Sequence, residues 1–233
     1  MKRFLLPAVA AAALVPLGMV PAPGLGAQAQ RNWTNVVAET PEGGFRLGNP
    51  AAPIKLVEYG SFTCNHCARF AGEGVPQLIG KYVKSGRVSF EYRTFVRDPA
   101  DFSAALLARC AGPAAFFPLS HDYFASQSQW IGRYQAMTDE QKKAIDALPM
   151  ERKLGRFAAV GGLNAIAAKA GVPAAKAAIC LADADAMRKL IEMRRVASET
   201  HKVEGTPSFL INGKLVEAHD WGALEPLLAG PGG

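Results

Sequence analysis

The stretch that decides the fold is Lys55-Leu-Val-Glu-Tyr-Gly-Ser-Phe-Thr-Cys-Asn-His-Cys-Ala-Arg-Phe70. The apolar run over residues 54–59 predicts a buried strand, and residues 60–63 predict a turn. Two cysteines, separated by two residues, then open a helix. Cys64 would lie at or just before the first helical turn, where free backbone N–H groups and the helix dipole favour negative charge. The pattern therefore predicts a strand, a turn and a helix with a reactive thiol at its N-terminus.

The two cysteines are suited to different roles. Cys64, stabilised as a thiolate by the helix N-terminus, is the expected nucleophile. Cys67 lies one helical turn deeper on the same face, within reach of a disulfide. His66, between them, can donate a hydrogen bond to the thiolate or, when protonated, add positive charge. Because a stabilised thiolate stabilises the reduced form, the Cys64–Cys67 disulfide is expected to accept electrons readily.

The main alternative for this pair is half of a structural zinc site. Such a site needs four ligands, which usually come from a second Cys-x-x-Cys or from a pair of histidines. The two other cysteines, Cys110 and Cys180, lie far apart, and no second pair has the required spacing. The sequence therefore favours redox chemistry and predicts no metal.

Further residues connect the chain with a known family. They are Glu58, Phe62, Cys64-Asn-His-Cys67 and Gly205-Thr-Pro-Ser-Phe209. In these the chain resembles the thioredoxin-fold thiol:disulfide oxidoreductases of the periplasmic DsbA type, over essentially its whole mature length. The resemblance implies an α/β, thioredoxin-like fold with an inserted all-helical domain, and no organic cofactor.

The resemblance also assigns a role to Glu58, which corresponds to the buried acid of the family and would accept a proton from Cys67. A carboxyl buried beneath the active-site helix would have a raised pKa, which suits that role. The alternative is a glutamate at a strand edge that points to solvent. Its apolar neighbours, Leu56 and Val57 among them, favour burial.

The remaining site residues surround the cysteines. By resemblance Asn65 and His66 tune the redox potential, the alternative for His66 being a solvated surface histidine. Thr206-Pro207 resembles the cis-proline loop that faces the cysteines, where the Thr206 backbone would pair with an extended substrate. The alternative is a trans proline that opens a strand. The expected substrate surface is an apolar groove that includes Phe62.

Threonine before this proline leaves the exact activity open. The best-known oxidases of this type carry valine there, while threonine also occurs in the isomerase branch. A disulfide isomerase or reductase is therefore the first alternative, although residues 30–53 are too short for the dimerisation domain that such isomerases commonly have. A copper(I) module built on Cys64, Cys67 and His66 is a second alternative. Copper chaperones on this fold usually have wider cysteine spacing and a distant histidine, and neither appears here.

The resemblance implies a second, structural disulfide between Cys110 and Cys180, because some DsbA-like proteins have one in the helical insertion. The alternative is two separate buried thiols. An oxidising compartment favours the bond.

The N-terminus predicts export. Met1-Lys-Arg3 is basic, residues 4–20 are apolar, and Ala27-Gln-Ala29 has the small-x-small pattern of a signal peptidase site. We therefore expect a cleaved signal peptide over residues 1–29 and a periplasmic location, the alternative being an uncleaved anchor. Removal of Lys2 and Arg3 lowers the formal charge from +6 to +4. The remaining basic residues alternate with acidic ones, which argues against nucleic-acid binding.

Residues 30–233 are predicted to form one thioredoxin-like domain, interrupted by helices at about residues 98–200. The predicted strands are 36–39, 45–47, 54–59, 88–96, 208–211 and 214–217, and the predicted helices are 65–84 (with a bend at its Gly and Pro residues), 102–110, 120–127, 139–148, 151–170, 174–181, 183–200 and 220–228. The predicted function is donation of the Cys64–Cys67 disulfide to unfolded or reduced exported proteins by a monomer. By resemblance, a quinone-linked membrane partner would reoxidise it.

Overall fold

Six strands form one mixed sheet in the computed structural model, which describes residues 32–230. The strands are β1 (Val37–Glu39), β2 (Phe45–Leu47), β3 (Ile54–Gly60), β4 (Val88–Thr94), β5 (Ser208–Ile211) and β6 (Lys214–Val216). Their order across the sheet is β1-β2-β4-β3-β5-β6. β3 and β4 pair in parallel, as the strand–helix–strand pattern predicts, and the other neighbours are antiparallel. The predicted signal peptide lies outside the described residues.

The helices follow the predicted division into a sheet domain and a helical insertion. They are α1 (Asn65–Gln77), α2 (Pro99–Cys110), α3 (Pro113–Ala125), α4 (Gln127–Gln135), α5 (Asp139–Asp146), α6 (Met150–Gly161), α7 (Leu163–Lys169), α8 (Ala174–Leu181), α9 (Ala184–Glu199) and α10 (Trp221–Ala229). Helices α2 to α9 all lie between β4 and β5, so the predicted fold class is confirmed. In residues 32–230 no helix combines the length and apolar character needed to cross a bilayer.

Three helix predictions need correction. α3 begins at Pro113 because Gly112 adopts a φ of 80° before it and proline is tolerated in the first turn. α4 was missed, because the predicted helix 120–127 spans the junction of two helices. The predicted helix 151–170 is two helices, separated where Gly162 adopts the left-handed conformation with a φ of 71°.

The bend predicted within residues 65–84 takes a different form. The chain stays α-helical through Gln77 and continues as a π-helical segment, Leu78–Val83. Pro76 has no N–H with which to continue the α-helical ladder, so the irregularity follows the proline.

The side chains on the two faces of β3 pack into two different hydrophobic cores. Leu56 belongs to the main core, which also contains Phe70 of α1, whereas Val57 and Tyr59 belong to a smaller core with Met193 of α9. Because side chains alternate along a strand, Glu58 lies on the same face as Leu56, beneath α1. A disulfide joins Cys110, at the end of α2, to Cys180 in α8, with their Cα atoms 5.9 Å apart.

Candidate active site

Cys64 is the N-terminal capping residue of α1. Its backbone is extended (φ −92°, ψ 121°), and its Sγ accepts a hydrogen bond from the Cys67 N–H at 3.4 Å. The thiol donates to the Thr206 carbonyl at 3.2 Å. This is the position expected from the sequence, where the helix N-terminus directs N–H groups at the sulfur. The hydrogen bond to the Thr206 carbonyl places the proline loop beside the nucleophile, and the peptide bond between Thr206 and Pro207 is cis.

The two thiols have different pKa values because their surroundings differ. The pKa of Cys64 is lowered from 9.0 to about 5, chiefly by a hydrogen bond with the Cys67 thiol, against an opposing effect of burial. The side chain of Thr206, the Cys67 N–H and the charge of Arg97 lower the pKa further. Burial raises the pKa of Cys67 well above 9.0, and the charges of Glu58 and Cys64 add to that effect. At neutral pH the pair therefore consists of one thiolate and one thiol.

Glu58 lies beneath this pair and is only 2% exposed. Burial raises the pKa of its carboxyl well above 4.5, and the negative charge of Cys64 raises it further. The protonated carboxyl is therefore favoured beside the buried thiol of Cys67. This agrees with the burial expected from its apolar neighbours, and a buried carboxyl with a raised pKa is chemically suited to proton exchange.

The active-site turn is held by an aspartate that sequence reasoning missed. Asp101, fully buried in the first turn of α2, accepts hydrogen bonds from Ser61 Oγ at 2.6 Å and the Phe62 N–H at 2.8 Å. It also accepts from the Arg97 N–H at 3.0 Å. Burial raises its pKa from 3.8 to about 7, although the three donors oppose that shift. The start of the helical insertion thus fixes the backbone just before Cys64.

Arg97 and Asp98 contact the same turn from outside. The Arg97 guanidinium donates to Ser61 Oγ at 3.0 Å and to Thr63 Oγ1 at 3.2 Å. Thr63 Oγ1 in turn donates to Asp98 at 2.7 Å. Asp98 followed by proline is a helix-start signal in the sequence, and Asp98 does cap α2. Nothing in the sequence indicates that this helix start would meet the active-site turn.

Gln127, at the start of α4, completes the support. Its side-chain amide donates to the carbonyls of Phe62 and Cys64, each at 2.8 Å. The helical insertion therefore contacts the backbone on both sides of Thr63, through α2 and α4. No sequence pattern marked Gln127, because a buried glutamine has no characteristic spacing.

The other predicted site residues occupy distinct environments. Asn65 and His66 are exposed on the first turn of α1, and the His66 ring makes no hydrogen bond with Cys64 among the described residues. The Phe62 side chain is fully buried, with its ring 5.7 Å from that of Tyr92. It therefore packs inside the protein, and any contact with substrate at this position would come from the backbone.

Metal binding receives no support from the residues that the structure describes. Among residues 32–230, no group of three or more His, Cys, Asp or Glu side chains is placed to hold a metal ion. The two free thiols, Cys64 and Cys67, are the cysteines available for redox exchange in this part of the chain.

Comparisons with known proteins agree with this geometry. The thioredoxin family model matches residues 40–229. A Rickettsia bellii relative named "Putative protein-disulfide oxidoreductase" is 29% identical over 174 residues, which cover 73% of this chain and 58% of the relative. The chain thus spans little more than half the length of that relative.

Solved structures give the same assignment. A protein-disulfide isomerase from Novosphingobium aromaticivorans has a TM-score of 0.75 and 35% identity, over 78% of this chain and 94% of that one. Wolbachia pipientis alpha-DsbA1 has a TM-score of 0.57 and 24% identity, over 78% and 87% of the two chains, and shows the shared fold. The chain therefore belongs to the thioredoxin family and has the fold of its DsbA-type members.

Proposed function

We propose that this protein is a thiol:disulfide oxidoreductase that donates the Cys64–Cys67 disulfide to reduced proteins outside the cytoplasm. The observation that carries the proposal is the difference between the two thiols. The pKa of Cys64 is lowered to about 5, whereas that of Cys67 is raised above 9.0. Stabilising the Cys64 thiolate stabilises the reduced form, and a stable reduced form makes the disulfide an oxidant.

The exchange follows from this asymmetry. A substrate thiolate attacks Cys64 Sγ, the Cys64–Cys67 bond breaks, and Cys67 leaves with the electron pair. The Glu58 carboxyl, whose pKa is raised by burial, supplies the proton that Cys67 takes up. A second substrate thiolate then attacks the substrate sulfur of the mixed disulfide, and Cys64 leaves as its stabilised thiolate. Two electrons have passed to the protein, and the substrate has gained one disulfide.

Substrate would approach past the proline loop. Thr206 is half-buried and its carbonyl lies 3.2 Å from Cys64 Sγ, so an extended peptide beside this backbone would place its sulfur near the nucleophile. Reoxidation would require an external acceptor of two electrons, for which a quinone-linked membrane protein is the proposed partner. The export pattern of residues 1–29 supports a periplasmic site of action.

A disulfide isomerase is the second candidate, and two observations favour it. Thr206 stands before the proline, and the similar Novosphingobium protein carries the name of an isomerase. An isomerase acts from its reduced form, because a free Cys64 thiolate must attack a substrate disulfide. The resting redox state of the Cys64–Cys67 pair therefore distinguishes the two candidates.

The experiment that tests donation of the disulfide is the reduction potential of the Cys64–Cys67 couple. The purified protein is equilibrated in glutathione buffers, and alkylation of these two thiols is followed by mass, with Cys64→Ser as the control. A potential near roughly −120 mV is expected for an oxidase, by comparison with known oxidants of the fold. A potential near roughly −270 mV would indicate a reductant and would refute donation of the disulfide.

A further inference from the structure

Tyr92 lies beside Glu58, the proposed proton donor, and takes no part in the exchange described above. Tyr92 of β4 pairs in register with Glu58 of β3, so both side chains project from the same face, beneath α1. Tyr92 is 4% exposed and belongs to the same buried cluster as Cys64 and Cys67.

The aromatic ring is held in one orientation. Its centroid lies 5.7 Å from that of Phe62, 6.0 Å from Phe116 and 6.2 Å from Phe124. The hydroxyl end lies over Gly60, where an added Cβ would come within 2.8 Å of the Tyr92 oxygen. Gly60 is the last residue of β3, so the hydroxyl lies where the active-site turn begins.

This hydroxyl is buried and has no hydrogen-bond partner among the described residues. A buried, unpaired hydroxyl is costly, and its presence calls for an explanation. Burial raises the pKa of Tyr92 well above 10.0, so the oxygen keeps its proton. The pKa of Tyr92 is raised further by the negative charges of Cys67, Glu58, Asp101 and Cys64. The hydroxyl therefore keeps its proton beside Glu58, its neighbour across the sheet, and is available as a donor.

A cavity of about 540 Å³ links this region to the surface. Glu58 and Tyr92 line it, and His121 of α3 is the histidine that lines it among the described residues. Its walls are mostly apolar and include Val75 and Phe117. Water within such a cavity can reach polar groups at its wall, so Glu58 has a route to solvent that does not pass the cysteines.

We propose that the Tyr92 hydroxyl donates a hydrogen bond to the Glu58–Cys67 pair whenever the pair is negatively charged. The inference rests on the proposed disulfide exchange and adds a residue to it. When Cys67 leaves as a thiolate, a proton passes from the Glu58 carboxyl to Cys67 Sγ. The Tyr92 O–H stabilises the carboxylate that remains, and Glu58 then takes a proton from water in the cavity. One proton has moved from solvent to Cys67, and Tyr92 has kept its own.

The reverse reaction isolates this step. Reduced protein is mixed rapidly with excess oxidised glutathione, quenched in acid, and analysed by mass. Cys64 first forms a mixed disulfide with glutathione. Glu58 then gives its own proton to water in the cavity and accepts the proton of Cys67, and the Cys67 thiolate displaces the glutathione. The second step passes through the charged pair that Tyr92 is proposed to stabilise, whereas the first depends on Cys64 alone.

Tyr92→Phe removes the hydroxyl and keeps the ring. We expect the second rate constant to fall about tenfold, the size expected when a hydrogen bond to a charged group is lost. We expect the first rate constant to stay unchanged, and the pH profile of the second step to move to higher pH. The free energy of unfolding is expected to stay equal or rise, because an unpaired buried hydroxyl has been removed. Tyr123→Phe is the matched control, since the Tyr123 hydroxyl donates to the Leu163 carbonyl.

A second comparison tests whether the effect of Tyr92 depends on the carboxylate of Glu58. In a Glu58→Gln background, Tyr92→Phe is expected to have much less than its tenfold effect, because the pair then lacks its carboxylate. A substitution by 3-fluorotyrosine at position 92, which keeps the ring and strengthens the donor, is expected to accelerate the second step.

Two results would overturn the inference. If Tyr92→Phe leaves the second rate constant within about twofold of wild type from about pH 5 to pH 9, Tyr92 serves packing alone. If Tyr92→Phe slows both steps equally, its effect is a general disturbance of the site. A wild-type protein that never forms the Cys64–Cys67 disulfide would refute the proposed function itself, and that outcome is visible before any variant is made.

Discussion

At the scale of single residues, the reactivity of Cys64 depends on a few donors and one nearby cation. The Cys67 N–H and the helix N-terminus are supplied by the backbone of α1. Arg97 supplies positive charge from another element and is hydrogen-bonded to the turn through Ser61 and Thr63. The side chain of Arg97 is exposed, so water and salt weaken its effect.

Replacement of this cation tests its contribution. Arg97→Gln is expected to raise the pKa of Cys64 above about 5, because the charge that lowers it is lost. The rate of alkylation of Cys64 by iodoacetamide near pH 5 should fall about twofold to fivefold, as expected for an exposed charge. Arg97→Lys should retain most of the wild-type rate.

The control for charge alone is Arg69→Gln, which removes the same charge from an exposed position on α1. It is expected to change the alkylation profile less than Arg97→Gln does. The difference between Arg97→Gln and wild type should shrink at about 1 M salt, where charges interact over only about 3 Å. A difference that is independent of salt would contradict an electrostatic role.

At the scale of elements, the N-terminus of α2 positions the active-site turn through Asp101. This carboxyl accepts three hydrogen bonds while fully buried, and its pKa is raised from 3.8 to about 7. A free carboxyl in the unfolded chain loses its proton near pH 4. Between about pH 4 and pH 7 the folded protein therefore binds more protons at Asp101 than the unfolded chain does.

Asp101→Asn tests this linkage. The folded state binds the extra proton, so the contribution of Asp101 to the free energy of unfolding depends on pH. This contribution is fully present below about pH 4 and decreases as the pH rises towards 7. The loss is up to about 4 kcal/mol, at about 1.4 kcal/mol per pH unit. Urea unfolding at several pH values should show wild type losing stability relative to Asp101→Asn over this range. Parallel curves for the two proteins would refute the raised pKa.

At the scale of the whole molecule, one covalent bond ties distant parts of the helical insertion together. The disulfide joins Cys110 and Cys180 across 70 residues of chain. Cys110 lies at the opposite end of α2 from Asp101, which contacts the active-site turn. The bond is therefore expected to contribute to the stability of the fold and to leave the chemistry of Cys64 unaffected.

The variant Cys110→Ser/Cys180→Ser separates these contributions. Its free energy of unfolding should fall by about 2–4 kcal/mol, because the unfolded chain loses a long cross-linked loop. Its pH profile for Cys64 alkylation should match that of wild type. A changed alkylation profile would show that the disulfide also positions α2 at the active site.

The sequence by itself determined the chemistry at Cys64 and Cys67. Helix N-terminal stabilisation acts within four residues, so a strand, a turn and a Cys-x-x-Cys were enough to assign the nucleophile. The two predicted strands over residues 208–211 and 214–217 are equally local, since Asn212 and Gly213 between them tolerate the positive φ that their turn requires. The burial of Glu58 followed from the apolar residues on either side of it.

The tertiary structure alone decided what surrounds the cysteines. Asp101 and Gln127 reach the turn from separate helices of the insertion, and no sequence spacing encodes contacts between segments so far apart. Tyr92 stands beside Glu58 only because β3 and β4 pair in parallel in one register, and a shift of one residue would turn its hydroxyl to the other face. The identity of the reactive thiol is thus a local property of the chain, whereas the residues that support it and those that surround Glu58 depend on packing.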